Sequence, residues 1–421
     1  MESFSLWQHP RTQLVECMAR IYSLRMTTTS GGNLSIQDET GHIWITPSRV
    51  DKGQLREEDI VKVTPSGASE GLHPASSELP FHGAIYGVRA DLKAIIHAHP
   101  SALVAFSLCR MLPQAMVSRH TAEWCAKLAI AAYACPGTDE LGQNIAHCFR
   151  AGAEAVLLEN HGVVVGGRDL AEAFQRFETL EYLSQTLTRC ASLGGAKICE
   201  SFPEKQKPAH AETVPSILTT QERAVRSELS RFVQRCLKQR LMISSAGSAS
   251  SRLSEEAFLI TPHGRDRLEM IPSALVKVCS DKQEGEASDS TPWHQAIYEK
   301  NPSVGAVIHA QPLHGSAFAF SRRKLETRTI PESFLVLKEC PLISQADFTP
   351  EKIAELVQQH PALVIENEGV LVVGKSLLEA YDRLEVLEAT AEALVLAHGI
   401  GPTVPMPESA VIELLEHFPN L

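Results

Sequence analysis

His97 and His99 stand two residues apart in "LKAIIHAHP", and a third histidine, His161, follows in "ENHGVVVGG". A neutral imidazole offers one nitrogen lone pair, so three of them make a ligand set for a single divalent ion. The apolar run Ala94-Ile95-Ile96 reads as a buried strand. Alternation along a strand puts residues i and i+2 on one face, so His97 and His99 project together. Three imidazoles leave a coordination position open, which is the arrangement of a catalytic rather than a structural metal centre. Glu78 lies nineteen residues before His97 and supplies a carboxylate. This pattern predicts a metalloenzyme.

The elements that must carry these residues occur twice. "AIIHAHPSALVAFS" (94–107) returns as "AVIHAQPLHGSAFAF" (306–320), and "SSELPFHGAIY" (76–86) as "SDSTPWHQAIY" (288–298). "WITPSR" (44–49) returns as "LITPHGR" (259–265), and "VLLENHGVVVGG" (156–167) as "LVIENEGVLVVG" (363–374). His97 matches His309 and His82 matches His294 at an offset of 212, and Asn160 matches Asn367 at 207. A period of about 210 residues far exceeds that of solenoid repeats and describes two duplicated domains. A length of 421 residues agrees, since one core rarely organises so long a chain.

The copies differ where the chemistry sits. Glu78 becomes Ser290, His99 becomes Gln311 and His161 becomes Glu368, while His97 persists as His309. The apolar frame is kept and the polar constellation is lost, so the expectation is one working domain and one degenerate copy. His309, Gln311 and Glu368 are a weak ligand set, and vacancy is expected there.

Composition narrows the class. The net charge of −11 argues against a general nucleic-acid surface. No uninterrupted apolar stretch is long enough to span a bilayer. The N-terminal "MESFSLWQHPRTQLVE" lacks the basic start and apolar core of a secretory signal. Ten cysteines occur without a C-x-x-C pair and read as thiols of a reducing compartment. A cytoplasmic location is expected.

The first domain is expected over 8–195: a helix at "TQLVECMARIYSL", a glycine turn, and short strands at "LSIQD", "HIWITP" and "IVKVTP". A helix carrying "SSELPFHGAIYGVR", the His97 strand, the "AVLLEN" and "VVVGG" strands and a long amphipathic helix from Asp169 follow. Residues 196–216 turn to proline and charge and read as a linker. The second domain is expected over 217–400, followed by a helical tail over 401–421. The mixture of short strands and helices predicts α/β layers.

With these motifs in order (a Gly-Asn-Leu-Ser turn, I-T-P-S, S-S-E, H-x-H and N-H-G), the first repeat resembles the class II (zinc-dependent) aldolase and adducin head domain family. That family includes fuculose-1-phosphate and rhamnulose-1-phosphate aldolases. The resemblance extends more weakly to 217–400. It implies two tandem layered α/β/α domains, each with a mainly antiparallel central sheet flanked by helices. It also implies one zinc, or another divalent metal, on His97, His99 and His161, with Glu78 as general acid/base. Pentulose-phosphate epimerases of the family carry Asp in place of that Glu, which tilts the reading toward carbon–carbon cleavage.

Ser30, Gly31, Gly32, Asn33, Thr46, Ser48, Ser76 and Ser77 resemble the family's phosphate pocket. Glycine lets backbone approach an anion, and hydroxyls donate to its oxygens; the same residues also suit a helix cap and a glycine turn. In the second repeat Asn33 becomes Ser248 and Ser77 becomes Asp289, which would repel phosphate. Arg49 replaces the glycine common after T-P-S/T and is either a substrate cation or a solvated loop charge. The stretch "LPQAMVSRH" lacks the tyrosine of fuculose-phosphate aldolases, and Tyr133 is expected to be a buried aromatic. No lysine lies within the motifs, so a Schiff-base route is not indicated.

The function expected is a metal-dependent lyase acting on a small phosphorylated sugar. A sugar-acid-phosphate decarboxylase, a sugar-phosphate dehydratase or epimerase, and a non-catalytic adducin-like interaction module are the alternatives. Family members commonly form fourfold tetramers, which for a duplicated chain implies a homodimer ring of four domains. No nucleic-acid or membrane partner is expected.

Overall fold

In a computed structural model the chain is described over residues 8–202, 218–279 and 285–418. It divides into two compact units, the first ending at Gln185 and the second beginning at Thr186, with residues 116–120 grouped with the second. The division falls inside the long helix at 170–192, not after it. Of the expected linker, 196–202 are described, and the Lys197 N–H donates to the Phe320 carbonyl at 2.7 Å within the second unit. The remainder of the linker, 203–216, lies outside the described residues, as do 1–7 and 419–421.

The first unit opens with α1 (Pro10–Ser23), where proline occupies the first turn and the His9 ring accepts the Arg11 N–H. Leu14, Cys17, Met18 and Ile21 recur at helical spacing and are all buried. Then come β1 (Asn33–Gln37), β2 (Ile43–Ile45), β3 (Val61–Val63), β4 (Ser69–Glu70), α2 (Leu79–Val88), β5 (Ala94–Ala98) and α3 (Ser101–Leu108). They are followed by α4 (Arg119–Cys125), β6 (Leu128–Ala131), α5 (Asp139–Arg150), β7 (Ala155–Leu158), β8 (Gly162–Gly167) and α6 (Leu170–Ser192).

The eight strands form one sheet in the order β4-β3-β2-β1-β5-β8-β7-β6. Every pairing is antiparallel except β6 with β7. On one face Ile95, Val156, Leu158 and Val164 pack with Phe81 and Ile85 of α2 and with Ile145 and Phe149 of α5. Alternation turns Ile96, Leu157 and Val163 to the other face, where α1 and α3 lie against strands. Both faces are therefore covered, which is why β5, β7 and β8 are buried along their whole length. The Glu181 carboxylate accepts the N–H groups of Ala102 and Leu103, satisfying the start of α3.

The second unit repeats the plan: α7 (Thr220–Lys238), β9 (Ser248–Arg252), β10 (Ala257–Ile260), β11 (Val276–Cys279), α8 (Thr291–Lys300), β12 (Ala306–Ala310) and α9 (Leu313–Ser321). Then come α10 (Pro331–Leu337), β13 (Leu342–Ile343), α11 (Pro350–Leu356), β14 (Ala362–Ile365), β15 (Gly369–Gly374) and α12 (Leu377–His398). Its sheet runs β11-β10-β9-β12-β15-β14-β13, with β13 and β14 the parallel pair. Glu388 accepts the N–H groups of His314 and Gly315 at the start of α9, as Glu181 does for α3. The expected tail helix is α13 (Glu408–His417), seated through Val411.

Candidate metal centre

The antiparallel register places Asn33 of β1 opposite His97 of β5, and His97 opposite Val164 of β8. His97 is fully buried at the sheet's centre, and its Nδ1–H donates to the Val163 carbonyl at 3.0 Å. That bond fixes the tautomer and leaves Nε2 bare. His99, two residues on, brings its Nε2 to 3.0 Å from His97 Nε2. His161 sits in the turn between β7 and β8, entered through Asn160 at φ 57°. The three ring centroids form a near-equilateral triangle with sides of 4.7, 4.9 and 4.9 Å.

Two glycines permit this crowding. A Cβ on Gly32, at φ +70°, would fall 2.5 Å from the His97 carbonyl oxygen. One on Gly162 would lie 2.5 Å from His99 Cδ2. Neither position tolerates a larger residue without moving a histidine.

Glu78 immediately precedes α2 and makes no capping bond. Its carboxylate faces the triangle instead, with Oε2 3.2 Å from His97 Nε2 and Oε1 3.8 Å from His161 Nε2. Oε1 is buried and has no hydrogen-bond partner. Burial opposes the charged form of Glu78, and the Asn33 amide, donating to Oε2 at 2.7 Å, offsets it by stabilising the carboxylate. Burial, then the neighbouring rings, lower His99 to about 3; burial and His97 lower His161 as well. Neutral rings are the form that ligates a metal. Bare nitrogens converging within 4.8 Å of one another, beside an unsatisfied carboxylate oxygen, fit a divalent cation.

The residues matched to a phosphate pocket divide into two sets. Ser30 and Ser77 are exposed, and Ser48 Oγ donates to the Ala75 carbonyl while accepting the Ser77 N–H. Ser76 Oγ accepts the Glu78 N–H at 3.3 Å, and Gly31 lies against His99. Thr46, by contrast, is fully buried and its hydroxyl accepts the Leu34 N–H, a bond repeated by Thr261 and Ala249 in the second unit. Asn33 is buried too, with its amide between Glu78 and His82. Arg49 is exposed at φ 58°, where the second unit has Gly264 at φ +61°.

Tyr133 departs from expectation: it is 58 % exposed, because β6 ends at Ala131 and the chain turns outward before α5. Two residues were given no part in the site by the sequence reading. Lys52 is buried, donates Nζ to the Pro47 carbonyl and its N–H to the Thr29 carbonyl, and burial lowers it to about 8. His82 lies fully buried behind Asn33. Helical spacing alone marks both as ordinary residues, and only the strand register reveals their neighbours.

In the second unit His309 Nε2 has no hydrogen-bond partner and stands 4.0 Å from a Glu368 oxygen. Trp293 and Phe348 stack at 4.3 Å, with the His309 ring 6.3 and 6.0 Å from them. Phe348 precedes the N-cap of α11 at the place where Gly137 precedes the N-cap of α5. An aromatic side chain thus packs where the first unit has none.

A sequence model described as Class II Aldolase and Adducin N-terminal domain matches residues 12–188 and again 227–395. An L-fuculose phosphate aldolase of Methanococcus maripaludis is 34% identical over 170 residues, 39% of this chain and 88% of the relative. A 5-methylthioribulose-1-phosphate/5-deoxyribulose-1-phosphate aldolase of Rhodospirillum rubrum is 32% identical over 191 residues, 45% of this chain and 84% of that one. A 3-oxo-tetronate 4-phosphate decarboxylase of Pectobacterium atrosepticum is 32% identical over 200 residues, covering 47% and 90%.

Proposed function

The chain belongs to the class II aldolase and adducin N-terminal domain family and is a lyase of that family, and from that premise we propose that its first repeat cleaves or forms a carbon–carbon bond in a small phosphorylated sugar. The observation that carries this reading is the unsatisfied Glu78 Oε1 facing three converging imidazoles. His97, His99 and His161 would hold one zinc ion, which when bound would supply Lewis-acid polarisation of the substrate carbonyl. Glu78 takes the proton released as the bond breaks and returns it to the carbon, acting at Oε1. Ser30, Gly31, Ser48, Ser76 and Ser77 bind the phosphate through hydroxyls and backbone N–H groups, with Arg49 adding a cation at the rim. Anchoring the phosphate keeps the reacting bond in register with the carboxylate.

A decarboxylase of phosphorylated sugar acids is the second reading, favoured by the similarity to the Pectobacterium enzyme. Release of carbon dioxide from a sugar-acid phosphate, without aldehyde, would establish it. The active species is a homodimer of about twice the 46.0 kDa chain. It belongs in the cytoplasm, which suits ten free thiols. Among the described residues no helix is long and apolar enough to cross a membrane.

The test is elemental analysis beside activity on ketose phosphates. Wild type is expected to carry about one zinc per chain, lost in His97→Ala, while Glu78→Gln keeps the metal and loses roughly 10²–10⁴-fold in kcat. Full activity after complete metal removal would sink the mechanism.

A further inference from the structure

One contact inside the second unit accounts for two exposed surfaces of this chain. Asn367, in the turn between β14 and β15, is fully buried at φ 57°. Its Nδ2 donates to the Lys197 carbonyl at 2.6 Å and the Val117 carbonyl at 2.9 Å, and its Oδ1 accepts from Arg322 Nε at 3.0 Å. Lys197 donates its own N–H to the carbonyl of Phe320, a fully buried residue. Two short stretches, 116–117 and 193–199, thus cover the Asn367 turn.

The cover is a built element. The Cys199 N–H donates to the Met116 carbonyl at 2.8 Å and ties the two stretches together. Leu193 is only 3 % exposed, and Cys199 Sγ lies 3.6 Å from Gln345 Oε1. By sequence both stretches belong to the first repeat, and the second repeat builds the same element. The Met406 N–H donates to the Arg328 carbonyl, also at 2.8 Å. Met406 follows Cys199 by 207 residues and Arg328 follows Met116 by 212, the two offsets of the duplication.

This second cover lies open. Ile400, the counterpart of Leu193, is 91 % exposed, and Val404, the counterpart of Lys197, is 82 % exposed. The matching turn of the first unit lies open as well. Asn160, equivalent to Asn367, has the same φ of 57° but is exposed. Leu108, Met111 and Tyr133, equivalent to Phe320, Arg323 and Gln345, are each more than half exposed. The exchanges are complementary: Val404 and Met406 replace Lys197 and Cys199 on the cover, while Met111 and Tyr133 replace Arg323 and Gln345 at the turn. Both surfaces become more apolar together, as faces hidden in an assembly do.

We propose that residues 400–406 of a second copy cover the Asn160 turn of the first unit, and that the reciprocal contact closes a twofold pair. Each chain offers one cover and one open turn, so two copies that exchange covers leave neither exposed. The Asn160 amide then donates to the Val404 and Thr329 carbonyls of the second copy, as Asn367 does to Lys197 and Val117. Asn160 immediately precedes His161, so the second copy holds the turn that carries the third imidazole. The inference rests on the homodimer reading and names the surface that makes it.

Sedimentation of the full-length chain over a dilution series is the test. Wild type is expected at about twice the 46.0 kDa chain mass. Ile400→Asp and Met111→Asp alter side chains exposed in a single copy, and each is expected to weaken association by roughly 30-fold or more. In hydrogen exchange, segments 158–162 and 400–406 of wild type should be protected in the pair and lose that protection on dilution. A wild-type pair that tolerates both substitutions, with exchange in these segments unchanged on dilution, would overturn the proposal and leave a homodimer built on another surface. Species heavier than a pair, abolished by either substitution, would mean that the contact forms without closing and would overturn the twofold pair. A monomer at every concentration would remove the homodimer reading together with this surface.

Discussion

Arg49 shows how a single residue reports on the site. Its φ of 58° is the left-handed region, which an L side chain adopts at a cost that Gly264 avoids in the second unit. A cation held at a strained position beside Ser48 is what the phosphate reading of this turn requires. Arg49→Gly is therefore expected to stabilise the fold by about 1 kcal/mol in denaturant titration, while weakening inhibition by inorganic phosphate several-fold. Unchanged phosphate affinity would reduce Arg49 to a solvated loop charge. The histidine triad was legible because strand alternation is local; the fit of Gly32 under the His97 carbonyl was not, because it joins segments far apart in sequence.

At the scale of elements, the turn between β1 and β2 shows what holds the site's scaffold together. Asp38 Oδ1 accepts from the Thr40 and His42 N–H groups and the Thr40 hydroxyl, and Oδ2 accepts from the Trp44 indole. Desolvation raises this carboxyl, but those bonds outweigh it and hold it near 2, against an ordinary value of 3.8. A depressed folded-state value means the stabilisation is complete above about pH 4 and is lost as pH falls toward 2. Asp38→Asn should flatten that part of the urea-midpoint profile; an unchanged acid limb would show that the turn contributes nothing. The two strands were readable in "LSIQD" and "HIWITP". The fourfold use of Asp38 was not, because it depends on side chains meeting around the turn.

At the scale of the whole chain, the fold is duplicated while the His97, His99 and His161 set is not. The second unit keeps the sheet and the carboxylate at the start of α9, yet fills the place of Gly137 with Phe348. His309→Ala is expected to leave the metal content at about one per chain, whereas a fall would mean the second repeat still ligates. A stable monomer with full activity would remove the homodimer from the reading. The duplication was legible in its nearly constant offsets. The division within α6 was not, since a helix pattern does not reveal which neighbours its two ends choose.

The amino-acid sequence alone determined the repeat, the family resemblance and the histidines, because each rests on residue identity and on periodicities of two and 3.6 that need no tertiary partner. Tertiary structure decided how those residues are used. Thr46 and Asn33 were matched to the same pocket as Ser48 and Ser77, yet the sheet encloses the first two and leaves Ser77 at the surface. Tyr133 read as a core aromatic and faces outward, while Lys52, which drew no notice, and His82, read only as a repeat position, lie buried beside the site. Burial depends on which strands become neighbours, and that choice is made by the packing of whole layers.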